Sequence, residues 1–255
     1  MIKIEDKSRV QRSWIYSVGT LLLLVVTFLV AYSTNEQGTA SWYTTVDVDS
    51  SGNGSIREVI DTDFAGKAQR GIWRDIPGLD SQDINYVFSP YAPDATKVVT
   101  GEEATAMGCA PNWAKSTCFR IGKSGHNKYG THRYIIDYQL ETLEEQNQCG
   151  LTGQTFCWIA VPTAWQWDIS KATIQIKHPK VLTEPACSVG SADSFNSDDT
   201  RCEVFSSESG LVVITAQNLE SGTGVWVRAQ ISEENAISSQ GFLIPPPSSP
   251  SSLDG

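Results

Sequence analysis

Histidine is scarce in this sequence: 255 residues hold three, His126, His132 and His178, and only the first two lie near each other. No third ligand stands at a defined spacing from that pair, so an imidazole metal site has no pattern to rest on. Cysteine occurs six times but never as CxxC, which removes the zinc-ribbon and thioredoxin-like patterns. GxSxG is absent, and no His–Ser or His–Cys signature for nucleophilic catalysis can be traced. The paired carboxylates Glu144/Glu145 and Asp198/Asp199 fall in polar stretches, where solvation is the expected state. The reading is therefore of a protein that is not an enzyme, with no catalytic residue, cofactor or metal ligand assigned. Positive charge is in deficit as well. The net charge is −10, and setting aside residues 1–12 leaves 15 basic against 27 acidic residues. Such a surface repels phosphate backbones, so nucleic acid is not an expected partner.

Charge of either sign is missing from residues 13–32, SWIYSVGTLLLLVVTFLVAY. Twenty residues in a helix span roughly 30 Å, the thickness of a hydrocarbon core. Trp14, Tyr16 and Tyr32 flank the run at positions suited to the membrane interface, and Lys3, Lys7, Arg9 and Arg12 precede it. Residues 1–12 are thus expected as a cytoplasmic basic tail and 13–32 as a transmembrane helix in contact with lipid. Everything after a short polar spacer at 33–40 is expected outside the cell membrane. A cleaved signal peptide is the competing reading, with Ala31 and Ser33, or Gly38 and Ala40, framing a cleavage site. The apolar run exceeds the roughly 7–15 residues of a signal-peptide core, which favours an uncleaved single-pass anchor.

All six cysteines lie downstream of that run. Disulfides persist in oxidising compartments, so cysteine usage and topology agree. The spacing predicts three local bridges, Cys109–Cys118, Cys149–Cys157 and Cys187–Cys202.

From residue 41 onward no helical periodicity of useful length occurs. Short β-branched and aromatic runs recur instead, separated by Gly, Asn, Asp, Ser and Pro. Strands are predicted at about 42–49, 56–64, 83–91, 118–122, 132–140, 157–161, 173–179, 201–207, 211–217 and 224–232. In HRYIIDYQL, Tyr134, Ile136, Tyr138 and Leu140 share one face; in GVWVRAQI, Val225, Val227, Ala229 and Ile231 do. The fold class is all-β, an immunoglobulin-like or related β-sandwich over residues 41–232. Only Glu141 to Gln148 could hold a helical turn. Residues 233–255, ending IPPPSSPSSLDG, read as a Pro/Ser-rich disordered tail.

Two strings invite chemistry. Asp47, Asp49, Ser51, Gly52 and Glu58 in DVDSSGNGSIRE stand at calcium-loop positions, but Gly54 replaces the aliphatic residue at position eight and both flanks alternate as strands. A β-hairpin is the favoured reading, with calcium as the alternative. In RGIWRDIP, Arg70, Arg74 and Asp75 surround Trp73 as a candidate recognition patch. A structural clasp of stacked guanidinium and ion pair before Pro77 is the plainer alternative.

RGIWRDIP at 70–77, RIGKSGHNKYGTHRYIIDYQL at 120–140 and WQWDISKATIQIKHP at 165–179 stand in an order that resembles the domain of unknown function 2207 family of bacterial and archaeal membrane proteins. VDVDSSGNGSIREVI at 46–60 is similar to the start of that domain and GTGVWVRAQIS at 222–232 to its end, so the resemblance covers about residues 42–232. It implies an extracytoplasmic domain attached to a membrane, with no assigned activity or site residues. Family members typically continue into further membrane segments, whereas this sequence ends at Gly255, and six cysteines are not a family feature. The expected role is a binding or structural module of the cell envelope with a protein or glycan partner. The alternatives are an extracytoplasmic hydrolase with carboxylates gathered from separate strands, or a subunit of a surface assembly.

Overall fold

The structure is a computed structural model that describes residues 37–77, 79, 84–88, 96–99, 116–122, 125–141, 143–146, 149–190, 201–206, 210–237, 241–246 and 248. The basic tail at 1–12, the apolar run at 13–32 and the first four residues of the spacer lie outside these. Among the described residues no helix is long and apolar enough to cross a membrane.

The chain forms strands β1 (Gly38–Val48), β2 (Gly54–Asp63), β3 (Ile72–Pro77), β4 (Ile84–Phe88), β5 (Thr96–Val99), β6 (Ser116–Ile121) and β7 (Thr131–Leu140). They are followed by β8 (Glu144–Gln146), β9 (Gln154–Val161), β10 (Asp168–Lys177), β11 (Lys180–Gly190), β12 (Cys202–Ser206), β13 (Leu211–Leu219) and β14 (Gly224–Asn235). A seven-stranded sheet runs β12-β13-β10-β1-β2-β7-β4, a four-stranded sheet β11-β14-β9-β8 and a three-stranded sheet β3-β6-β5. Every neighbouring pair is antiparallel except β1 with β10, which run parallel in the middle of the large sheet.

Alternation explains how these strands face. In β1, Trp42, Val46 and Val48 are buried while Ala40 and Asp47 are exposed; in β14, Val225, Val227, Ala229 and Ile231 are buried. The inward residues of all three sheets join one core: Ile56, Ile60 and Ile174 from the large sheet, Phe156 and Trp158 from the second, Ile72, Phe119 and Ile121 from the third. Trp42 and Trp165 meet edge-to-face at 5.0 Å, and Trp165 meets Trp167 at 5.4 Å.

The chain is all-β, built from three sheets that share one core. Four strands, β3, β5, β8 and β11, were not among those predicted. In the one stretch that could hold a helical turn, 141–148, Glu144–Gln146 form strand β8 instead, because Leu143 anchors in the core and these residues pair with β9. Gly38 to Ala40, expected in the spacer, belong to β1, where Gly38 and Thr39 pair with Asp168 and Ile169 on β10 and with Asp63 and Thr62 on β2. The boundary expected at 232 lies inside β14.

Cys149–Cys157 and Cys187–Cys202 are disulfides, each with Cα atoms 6.2 Å apart. The second joins β11 of the four-stranded sheet to β12 at the edge of the seven-stranded one. Cys118 is disulfide-bonded too, and its expected partner Cys109 lies outside the described residues.

Candidate functional site

The string 70–77 is divided between two environments. Ile72, Arg74 and Ile76 alternate on the core side of β3, which sends the Arg74 guanidinium inward beside Glu58, itself between Ile56 and Ile60 on the core side of β2. The two side chains are 1% and 0% exposed. Arg74 Nε donates to Glu58 Oε2 at 2.7 Å, Nη2 donates to Oε1 at 2.5 Å and Nη1 donates to the Asp75 carbonyl. The Tyr138 hydroxyl donates to Glu58 Oε1 at 2.8 Å, and the guanidinium lies 5.1 Å from the centre of the Trp42 ring. Burial acts to lower the Arg74 pKa, but the adjacent Glu58 charge outweighs it and the pKa is raised. Burial first, and the Glu58 charge second, push the Tyr138 phenol well above its ordinary value. A charge pair without solvent access organises the interior and can meet no ligand.

Trp73 takes the opposite side of β3. It is registered directly across from Arg120 on β6, and this pairing stacks the Arg120 guanidinium 5.9 Å from the indole centre. Arg70, exposed just before the strand, joins them at the mouth of a cleft of about 440 Å³ lined by Gln69, Arg70, Gly71, Trp73, Arg120 and Gly122 among others. Two glycines let the backbones converge there. Gly71 has φ 134°, and a Cβ on it would fall against the Ile121 carbonyl; Gly122 has φ 154° and meets the Arg70 carbonyl in the same way. Gln69 and Lys128 exchange backbone hydrogen bonds at 3.0 and 2.7 Å, which ties the 125–130 loop to this rim. Arg120 Nε is buried and finds no hydrogen-bond partner. The described lining carries cationic, aromatic and amide groups and no carboxylate. Such a set can hold an anion, with an aromatic edge beside it.

The remaining sequence candidates have other occupations. Residues 47–58 form the β1–β2 hairpin. Asp49 Oδ1 accepts from the backbone of Ser51 at 2.7 Å and of Asn53 at 3.0 Å, which holds its carboxyl below the usual range. Asp47 pairs with Lys177 at 3.3 Å, and Glu58 faces the core, so the three acids of the calcium-loop pattern do not converge. His132 Nε2 lies 2.8 Å from the Tyr129 carbonyl, and His126 is exposed on its loop. His178 is buried, with Nε2 2.9 Å from Glu144 Oε1 and Nδ1 accepting from the Lys180 backbone at 3.0 Å. Asp198 and Asp199 lie outside the described residues. Sequence reading did not single out Arg120 or Gln69, and it placed Glu58 in a calcium-loop pattern instead of against Arg74. The usable signal for Glu58 was an acid at an inward position of SIREVI, matched by a cation at an inward position of IWRDI.

No curated protein matches the sequence. Among solved structures, the M1 zinc metallopeptidase of Deinococcus radiodurans aligns at 11% identity and a TM-score of 0.35 over 75% of this chain and 42% of that one. A mutant of that enzyme bound to a Tyr-Ser-Ala substrate aligns at 11% identity and 0.36, over 75% and 42%. The chain thus spans about two-fifths of the length of these structures, and at such scores the likeness carries no functional weight. The family comparison is of another order: the model described as the N-terminal domain of a predicted membrane protein, DUF2207, matches residues 41–231, three-quarters of the chain. With its β domain matched from the first strand to the last, the chain belongs to the DUF2207 family.

Proposed function

We propose that this protein is a non-catalytic binding module of the cell envelope, anchored by residues 13–32 with its β domain outside. The cleft between β3 and β6 is its recognition site for an acidic glycan. The observation that carries this reading is Arg120, stacked on Trp73 with a buried and unpartnered Nε at the cleft wall. A carboxylate between Arg70 and Arg120 gains charge-assisted hydrogen bonds, and the Trp73 edge suits a sugar ring. The anchor is supported by four cations ahead of an uncharged 20-residue run and by the family's description as membrane proteins. The outside placement is supported by two disulfides. Calorimetric titration of the full chain in detergent with a uronic-acid oligosaccharide tests the reading. Binding is expected to weaken at least tenfold in Arg70→Ala and in Arg120→Ala, while a neutral oligosaccharide of the same length does not bind. Absence of heat at millimolar ligand, or equal affinity for both sugars, overturns it.

A further inference from the structure

The outward face of the seven-stranded sheet is not bare. Tyr43 on β1, Val59 on β2, Thr173 and Gln175 on β10 and Val213 on β13 alternate outward yet are buried. The Gln175 side chain binds both main-chain groups of one residue, Ile244, in the chain's own C-terminal segment. Ile244 N–H donates to its Oε1 at 2.9 Å, and its Nε2 donates to the Ile244 carbonyl at 2.6 Å. That carbonyl also accepts from the Tyr43 hydroxyl at 2.6 Å. Four residues on, the Ser248 carbonyl accepts from Arg133 Nη2 at 2.8 Å, and Arg133 is itself held by a two-bond fork on Asp61, both bonds 2.7 Å.

The segment runs obliquely over the strands. Gln175 is in register with Asp137 through Thr45 and Arg57, so Arg133 lies three strand steps across, about 14 Å, and four residues along, about 13 Å. Four residues of polyproline II advance about 12 Å, and the long Gln175 and Arg133 side chains supply the remaining reach. All four contacts use the segment's main chain. The side chains at the contact face solvent, Leu243 at 52% and Ile244 at 40% exposure, while Phe242 is half-buried. The face therefore recognises an extended backbone and asks little of the side chains, which a proline-rich chain supplies at low entropic cost.

We infer that this face is a docking groove for an extended, proline-rich segment, occupied in cis by residues 241–246 and 248, for which a partner's segment of the same chemistry competes. Tethering keeps the chain's own segment at an effective concentration in the millimolar range, so it masks the groove without binding tightly. Ile244→Pro removes the N–H that reaches Gln175 and leaves the sheet untouched. The test is fluorescence anisotropy of a labelled GFLIPPPSSP peptide titrated with the full chain in detergent. The I244P chain is expected to bind the peptide at least tenfold more tightly than the native chain. Adding Gln175→Leu, or the milder Tyr43→Phe, is expected to reverse that gain. Equal binding to native and I244P chains, no binding to I244P below millimolar, or a gain that survives both sheet substitutions overturns the inference. So does a concentration-dependent dimer of the native chain that places the segment on a second copy.

Discussion

A single buried charge pair governs the interior at the scale of the residue. Glu58 and Arg74 compensate each other away from water, so truncating one strands the other. Arg74→Met is expected to cost about 3–5 kcal/mol, whereas Arg74→Met with Glu58→Leu is expected near neutral, as measured by chemical denaturation. His132 has the opposite character: burial pushes its imidazole below the ordinary value, and the Tyr129 carbonyl only partly restores it. The unfolded chain then binds a proton near pH 6.5 that the folded chain does not accept. Stability is expected to be full above that pH and to fall as pH drops through it. Unfolding midpoints between pH 7.5 and 5.5 read the slope, and His132→Gln is expected to flatten it.

The two described bridges differ at the scale of the element. Cys149–Cys157 closes a loop of 8 residues within one sheet's border, while Cys187–Cys202 closes 15 and couples two sheets. Replacing each pair with alanines is expected to lower stability by about 2.5 and about 3 kcal/mol respectively, read by urea unfolding without reductant. Strands such as β7 and β14 were legible because the runs Tyr134, Ile136, Tyr138, Leu140 and Val225, Val227, Ala229, Ile231 hold the inward positions, while most outward ones are polar or amphipathic, Ile135 excepted. Strand β3 was not, because Arg74 occupies an inward position and hides the alternation of Ile72 and Ile76. Nor was β11, where Pro185, a left-handed Glu184 at φ 48° and two register shifts against β14 break the period. The cleft was half legible. Arg70 and Trp73 sit in a distinctive string, but Arg120 reaches them only through the β3–β6 register, which pairs residues some 47 positions apart. Arg74 belonged to the same string and went inside, since neighbouring residues of a strand face opposite ways; Asp75 alternates to the Trp73 side of β3 and is buried there.

For the whole molecule, the orientation proposed above has a direct readout. A membrane-impermeant protease added to intact cells is expected to degrade the β domain, and a tag placed before Ile2 is expected to survive until the membrane is opened. The reverse pattern refutes the anchor as drawn. The parallel union of β1 with β10 sets a second property at this scale. Gly38 lies opposite Asp168, so the central ladder closes a loop of some 130 residues. The β1–β2 hairpin can form early, but one border of β1 must wait with its peptide groups unmatched until β10 arrives. Maturation of the nascent chain is therefore slow and non-local, and the interval before closure is when a chaperone, or aggregation, has its opportunity.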